Sequence, residues 1–380
     1  MFKMVFKAPK LLLLIAIVML VVMFATPQGR SALKTLGFVF QVIPSIPVKP
    51  IEIFSSQPVR EEVRFTQSTG SGVADIYRPD NDKENAAVLL FLGVNPAGRD
   101  DARVVNLAES LARTGMVVMI PWSEDLAEYR ISPDEIDDIV HAYKYLLNLK
   151  RVDVDRSGMA GFCVGASLAT VAAQDDRIAE QVKFINFFGG YFDARNLLKA
   201  VLSQTRFGNN GKEMWIPSDQ AKEVVARHLI RLVPLEEERQ FLNERFLSVG
   251  GIERIDTTAL SQTASIVHQL LSGVSYEVAD DLINDLPKTV HEDLLAISPT
   301  QNLDSLRAKM MIMHDMNDAN VPSEESRLLA QAIKSNNDVS HTEFRFFRHM
   351  DPEEPVGVIT KSVDAFKLFM HLYQVVRYAS

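Results

Sequence analysis

One cysteine occurs in the 380 residues, and it stands near the centre of a glycine-flanked pentapeptide, Gly161-Phe162-Cys163-Val164-Gly165. This has the form of a nucleophile elbow with sulfur where serine is usual. Such an elbow is a tight strand-to-helix turn that forces its central side chain into a strained, exposed pose, with small residues on either side so that the chain can approach itself. The following helix N-terminus would aim free N–H groups and partial positive charge at the sulfur. A nucleophile of this kind needs a base, and the base needs an orienting carboxylate. On a strand–turn–helix architecture the three follow in the order nucleophile, acid, histidine, each at the carboxyl end of a strand.

Asp318 meets the requirement for the acid. It lies just past the expected end of a strand at 309–314, in the run His314-Asp315-Met316-Asn317-Asp318-Ala319-Asn320-Val321-Pro322. Asp315 is a competing acid. His349 follows the next strand, at 342–347, in Arg348-His349-Met350-Asp351-Pro352. Elimination favours it as well: His141 and His371 fall within helices, His228, His268 and His291 lie in a helical block, His341 precedes its strand, and His314 is upstream of the acid. Acyl transfer also needs donors for an oxyanion. The residue after the nucleophile, Val164, supplies one backbone N–H, and the loop Gly93-Val94-Asn95-Pro96-Ala97-Gly98 supplies the other. The N–H of Val94 is the expected donor and Asn95 the fallback, since Pro96 has none. Each residue also has a plainer reading: a buried free cysteine, a turn-capping aspartate, a surface-loop histidine, an ordinary Gly/Pro loop.

The elements that must position these residues alternate. Short segments at 62–65 and 73–77 around Gly70-Ser71-Gly72 read as a hairpin. A continuous apolar run at 86–92 reads as a strand covered on both faces, with further buried strands at 116–120 and 182–188 and a shorter strand at 158–162. Helical spacing marks 103–113, closed by Gly115, then 133–147 with Ser132 as N-cap, and 166–173. From 193 to about 297 the strand signal almost vanishes and helical runs at 221–231, 235–247, 258–271 and 277–286 replace it. Strands and helices resume at 309–314, 324–334, 342–347 and 359–376. This predicts an α/β protein, a mostly parallel sheet with helices on both faces and an inserted helical cap. The predicted divisions are a core at 59–192 and 298–380, a cap at 193–297, and two N-terminal pieces at 1–28 and 29–58. Phe207, Met214, Trp215, Phe241 and Phe246 of the cap are candidates to line an acyl pocket, although such residues more often form cap core.

The first piece is a separate object. Lys3, Lys7 and Lys10 precede an unbroken apolar run at 11–25. That is the pattern of an export or membrane-insertion signal. An uncleaved anchor with the body on the non-cytoplasmic side is expected, with a cleaved signal and secretion as the alternative. Residues 29–58 mix apolar side chains with Pro44, Pro47, Pro50 and Pro58. They read as an extended tether on a membrane surface, or as a strand-like arm packed on the body.

Composition removes several function classes. Forty Lys and Arg against 49 Asp and Glu give a formal charge of −9, which argues against nucleic acid as a partner. A lone cysteine excludes an intramolecular disulfide framework and multi-thiolate zinc sites. The sequence has no His-Glu-x-x-His and no EF-hand loop, and Gly208-Asn209-Asn210-Gly211-Lys212 lacks Walker A spacing. No cofactor is called for.

Taken together, Leu92-Gly93-Val94-Asn95, the cysteine elbow, Asp318-Ala319-Asn320-Val321-Pro322 and His349 resemble the α/β-hydrolase superfamily, and within it the dienelactone hydrolase family. The resemblance covers about 60–192 and 298–378. It implies the α/β-hydrolase fold and a Cys163–His349–Asp318 triad acting on a small-molecule ester or lactone through an acyl-thioester. The chain departs from that family at Leu90, where the family carries a glutamate near the cysteine, and in its cap and N-terminal signal. The cap implies a different, more apolar pocket. Two other readings stay open at this level: an acyltransferase using the same triad, and a catalytically silent membrane-tethered binding protein of the same fold.

Overall fold

The computed structural model of the chain describes residues 23–43, 46–68, 70–208, 211–248, 260–334, 338–345, 347 and 357–379. Its frame is an eight-stranded sheet of β1 (Val59–Gln67), β2 (Gly70–Arg78), β3 (Asn85–Phe91), β4 (Met116–Pro121), β5 (Val152–Phe162), β6 (Phe184–Phe188), β7 (Lys309–Asp315) and β8 (Val339–Phe344). The spatial order is β1-β2-β4-β3-β5-β6-β7-β8. β2 is antiparallel to both neighbours, and every pairing from β4 across to β8 is parallel. From β3 the chain winds to β4 on one side and then returns past β3 to β5 on the other. The carboxyl ends of β3 and β5 therefore flank the point where the winding reverses, and ligands of open α/β sheets bind in the crevice at such a point.

The continuous apolar runs are explained by two cores. Ala86, Val88 and Leu90 of β3 belong to one buried cluster, and Ala87, Leu89 and Phe91 to the other. β4 divides the same way, with Met116, Val118 and Ile120 against Val117 and Met119. Successive strand side chains point to opposite faces, so a run apolar at every position is stable only where helices cover both. Leu90 is fully buried in β3.

Element ends shift from expectation for local reasons. β5 begins at Val152, ahead of the expected 158, because its first half carries Asp153, Asp155 and Arg156 and shows no apolar run. Gly70-Ser71-Gly72 does not form the hairpin turn but pairs within β2, opposite Gln67, Thr66 and Phe65. The helix Ala102–Thr114 ends at Gly115, whose φ of 105° is open to glycine. The helix after Ser132 runs Asp134–Leu147, and the Ser132 hydroxyl accepts from the Asp134 N–H at 3.3 Å. Between residues 193 and 297 lie helices Ala194–Ser203, Asp219–Arg231, Glu236–Phe246, Gln262–Leu271, Tyr276–Asn284 and Lys288–Ala296. The first and last of these were not expected, nor was a small hairpin of Thr205–Gly208 and Gly211–Met214. Four-residue strands are too short to show a period of two. The Ala194–Ser203 helix is announced only by Asp193, whose carboxylate accepts from the Arg195 N–H at 2.8 Å.

The tether reading of 29–58 is corrected. Pro27–Val42 is a 16-residue helix, N-capped by Thr26, whose hydroxyl accepts from the Gly29 N–H at 3.0 Å. It packs on the Ala102–Thr114 helix and the closing Val358–Val376 helix, with Ser31, Thr35, Phe38 and Val39 buried. Lys34 donates to the Ala379 carbonyl at 2.8 Å, and burial lowers its pKa to about 8. The Lys49 ammonium donates to the carbonyls of Phe40, Gln41 and Ile43 at the helix's end. A proline bars the interior of a helix and not its first turn, and Pro50 likewise opens the short helix Pro50–Phe54. Pro27 sits in the first turn, where no N–H is needed, and the others follow the helix. Residues 11–22 of the apolar run lie outside the described residues. No helix among the described residues is long and apolar enough to cross a membrane.

Candidate active site

β5 ends at Phe162 and the helix Val164–Ala172 begins one residue later. Cys163, half-buried, is the whole turn. Its φ of 52° and ψ of −134° lie where non-glycine residues are strained. The surroundings hold it there. The Cys163 N–H donates to the Phe188 carbonyl of β6 at 2.9 Å, and its carbonyl accepts from the Ala166 N–H at 3.0 Å. The flanking glycines are required by contact. A Cβ on Gly161 would fall 2.5 Å from the Ala166 Cα, and one on Gly165 would fall 2.5 Å from the carbonyl oxygens of Phe91 and Leu92. The elbow is thus pressed directly on the end of β3. The loop that follows β3 also reaches the sulfur's carbon: the Cβ position of Gly93 is 2.9 Å from the Cys163 Cβ.

Cys163 opens on a cavity of about 320 Å³. Val94 and Val164, the expected oxyanion donors, line it, as does Asn95. Neither Val94 nor Val164 has an acceptor for its N–H among the described residues. The opposite wall comes from the cap and is apolar except for Gln220: Leu197 and Val201 from Ala194–Ser203, and Ala221, Val224 and Val225 from Asp219–Arg231. The five cap residues singled out from the sequence do not line this cavity. Phe207 packs on Tyr276, Phe241 and Phe246 pack on His268, and Met214 faces solvent. Trp215 is buried, but its indole N–H donates to the Asp318 carbonyl at 2.9 Å.

Asp318 is 1% exposed, just beyond β7. One carboxylate oxygen accepts from the N–H groups of Asn320 at 2.7 Å and Val321 at 3.0 Å, which fixes the loop. The other lies 3.4 Å from His314 Nε2, which also contacts the Val321 carbonyl at 3.0 Å. The competing Asp315 is committed elsewhere: its two oxygens accept from the N–H groups of Asn317 at 2.7 Å and Phe347 at 2.5 Å. His349 lies outside the described residues. Among the other histidines, His371 bonds to Asn186 and Thr342, and His341 to Ser326. Burial pushes His371 and His228 down to about 4. None of these reaches the cavity at Cys163.

The sequence reading missed four residues around the site. Tyr191 lines the cavity, and its backbone N–H and carbonyl both bond to the Ser167 hydroxyl, at 2.9 and 2.8 Å. Glu325, fully buried, accepts from the N–H groups of Phe192 and Asp193 at 2.9 and 3.0 Å and so pins the loop after β6. Burial pushes its carboxyl up to about 7. Gln220 and Asn320 bring side-chain amides to the cavity wall. Position after β6 could have pointed to Tyr191, and Asn320 lies in the run singled out around Asp318, but no local signal marks Glu325 or Gln220.

No family model and no curated protein matches the chain. Solved structures do. The uncomplexed acylaminoacyl peptidase of Pyrococcus horikoshii is similar at a TM-score of 0.50 and 14% identity, over 87% of this chain and 44% of that one. This chain thus spans less than half of that peptidase. EstE1, a thermophilic carboxylesterase cloned from a metagenomic library, is similar at a TM-score of 0.49 and 16% identity, over 93% and 95% of the two chains. At 14% identity the likeness to the peptidase carries the architecture and nothing of the chemistry. With the strand order, the parallel pairings and the strained turn after β5, it places the chain in the α/β-hydrolase fold.

Proposed function

We propose that the protein hydrolyses carboxylic esters or lactones, with Cys163 as nucleophile, His349 as base, Asp318 as the orienting acid, and the N–H groups of Val94 and Val164 as oxyanion donors. One observation carries the reading: the lone cysteine occupies the strained turn after β5 and opens on an apolar cavity shared by the core loops and the cap. In the reaction, His349 takes the thiol proton and sulfur bonds to the substrate carbonyl carbon. The oxyanion forms between the two N–H groups. The carbon–oxygen bond to the leaving group breaks, and the alkoxide takes the proton from His349. Water, deprotonated by the same histidine, then attacks the thioester, the carbon–sulfur bond breaks, the sulfur takes the proton back from His349 and the acid leaves. The apolar cavity suits a hydrophobic acyl group, and residues 193–297 act as the cap that shapes it.

The test is turnover of short and medium p-nitrophenyl esters by wild type and Cys163→Ala. Turnover lost with the thiol supports the reading, and equal rates in the two proteins refute it. For localisation, we propose that residues 11–25 hold the chain at a membrane with the body on the non-cytoplasmic side. Full-length chain recovered in the soluble fraction would overturn this.

A further inference from the structure

A short cap segment, 215–220, leads from the cap hairpin into the Asp219–Arg231 helix and runs along the acid loop. Trp215 donates to the Asp318 carbonyl, and the Ser218 N–H donates to the Ala319 carbonyl at 2.7 Å. The Ser218 hydroxyl donates to Asn320 Oδ1. Asn320 Nδ2 donates to Gln220 Oε1 at 3.3 Å, and Gln220 Nε2 donates to the Val94 carbonyl at 3.3 Å. Three separate pieces of chain are joined: the cap, the loop bearing Asp318, and the loop bearing Val94.

The chain of bonds has only one workable polarity. A backbone carbonyl can only accept, so Gln220 must present its NH₂ group to Val94. Its oxygen is then left for Asn320, which must offer NH₂ in turn. Asn320 Oδ1 therefore faces Ser218, whose hydroxyl must donate. Ser218 can do so because it meets the Ala221 N–H as an acceptor, at 3.0 Å, in capping the cap helix. Turning either amide over would set like groups against each other at the cavity wall. Asn320 also donates its backbone N–H to Asp318, so the residue at the middle of the relay also fixes the acid.

We infer that Gln220 is a positioning residue for the reaction: it ties the loop that carries the oxyanion donor to the acid loop, and makes the cap part of the catalytic frame. The inference rests on the reading above for its consequence in rate. Its structural half, that Gln220 holds the Gly93–Gly98 loop, stands apart from it.

The experiment uses the full chain with Gln220→Met, which keeps the volume and loses both bonds, and Gln220→Glu, which keeps an acceptor for Asn320 and places an oxygen against the Val94 carbonyl. Both should lower kcat about tenfold on p-nitrophenyl butyrate with KM changed less than twofold, since the loss is in transition-state alignment. Affinity for butyraldehyde, whose adduct with sulfur carries an oxygen in the oxyanion position, should weaken in the same proportion. The rate at which iodoacetamide alkylates Cys163 should stay within twofold. Amide hydrogen exchange in the Gly93–Gly98 loop should quicken in both variants. If KM rises while kcat holds, Gln220 is a substrate contact and the inference fails. If exchange in that loop is unchanged, it fails whatever the activity. Loss of turnover in Cys163→Ala together with unaltered Gln220 variants sinks this inference alone. Turnover retained in Cys163→Ala sinks the functional reading, and the exchange result then decides this one by itself.

Discussion

Replacing Glu325 with glutamine should stabilise the protein at neutral and alkaline pH and leave it unchanged in mild acid. The carboxyl is fully buried, and burial raises its pKa from 4.5 to about 7 despite two backbone N–H groups that favour the charge. An acid whose pKa is higher folded than unfolded holds more protons in the native state between those two values. Its contribution is fully present below pH 4.5, falls as pH rises through about 7, and is flat above. At about 1.4 kcal/mol per pKa unit, the ionised carboxylate costs the folded state on the order of 3 kcal/mol above pH 7. Glutamine cannot ionise, and its amide oxygen can still accept from Phe192 and Asp193. Glu325→Gln should therefore gain roughly 3 kcal/mol at pH 8, which for a chain of this size is a Tm shift of about 4 °C. The assay is thermal unfolding of both proteins at half-unit steps from pH 4 to 8.5. A Tm difference that is constant across that range, or negative at pH 8, would refute the argument. Glu135 offers a parallel case: its carboxyl is also raised to about 7 by burial, but it accepts from the Ser123 hydroxyl, just beyond β4.

Two further outcomes follow from the geometry. Gly165→Ala places a methyl 2.5 Å from two backbone oxygens at the end of β3, where neither can swing aside. A stability loss of about 1–3 kcal/mol is expected, with ester turnover down about 100-fold as the elbow and the oxyanion loop separate; turnover within twofold of wild type would show that the close approach is not needed. With p-nitrophenyl esters of increasing chain length, kcat/KM should rise about fourfold per methylene, from about 0.8 kcal/mol each, until the cavity fills. Val225→Phe should move the optimum to shorter chains and leave the acetate ester alone, and a flat profile from two to eight carbons would contradict the acyl assignment of the cavity.

The core of the fold was legible because its strands carry unambiguous information. β3 is apolar from Ala86 to Phe91 and β4 from Met116 to Ile120, and β6 is broken only by Asn186, the pattern of a sheet covered on both faces. The elbow was legible for a related reason. Two glycines bracketing a cysteine at a strand end answer a steric demand that few other sequences can meet. What escaped were features whose cause lies far away in the chain. Gln220 is an ordinary polar residue until the fold brings the Val94 carbonyl to it. Glu325 reads as one of several glutamates on an amphipathic helix until the loop at 192–193 closes over it. The large cap side chains follow the plainer of their two readings and stay out of the cavity, whose wall is built of the smaller Val201, Ala221, Val224 and Val225. The N-terminal helix was missed because proline was counted across a segment instead of located within it.

That helix has a mechanical consequence. A flexible leash lets its cargo wander over roughly 5–6 Å times the square root of its length in residues. Here the apolar run ends at Ala25 and a helix bolted to the body starts at Pro27. There is no slack between them. Whatever holds the chain at Ala25 therefore holds the body two residues away, and with it the direction from which a molecule can enter the cavity at Cys163. Changing that approach would take inserted residues at Thr26, not a mutation in the site itself.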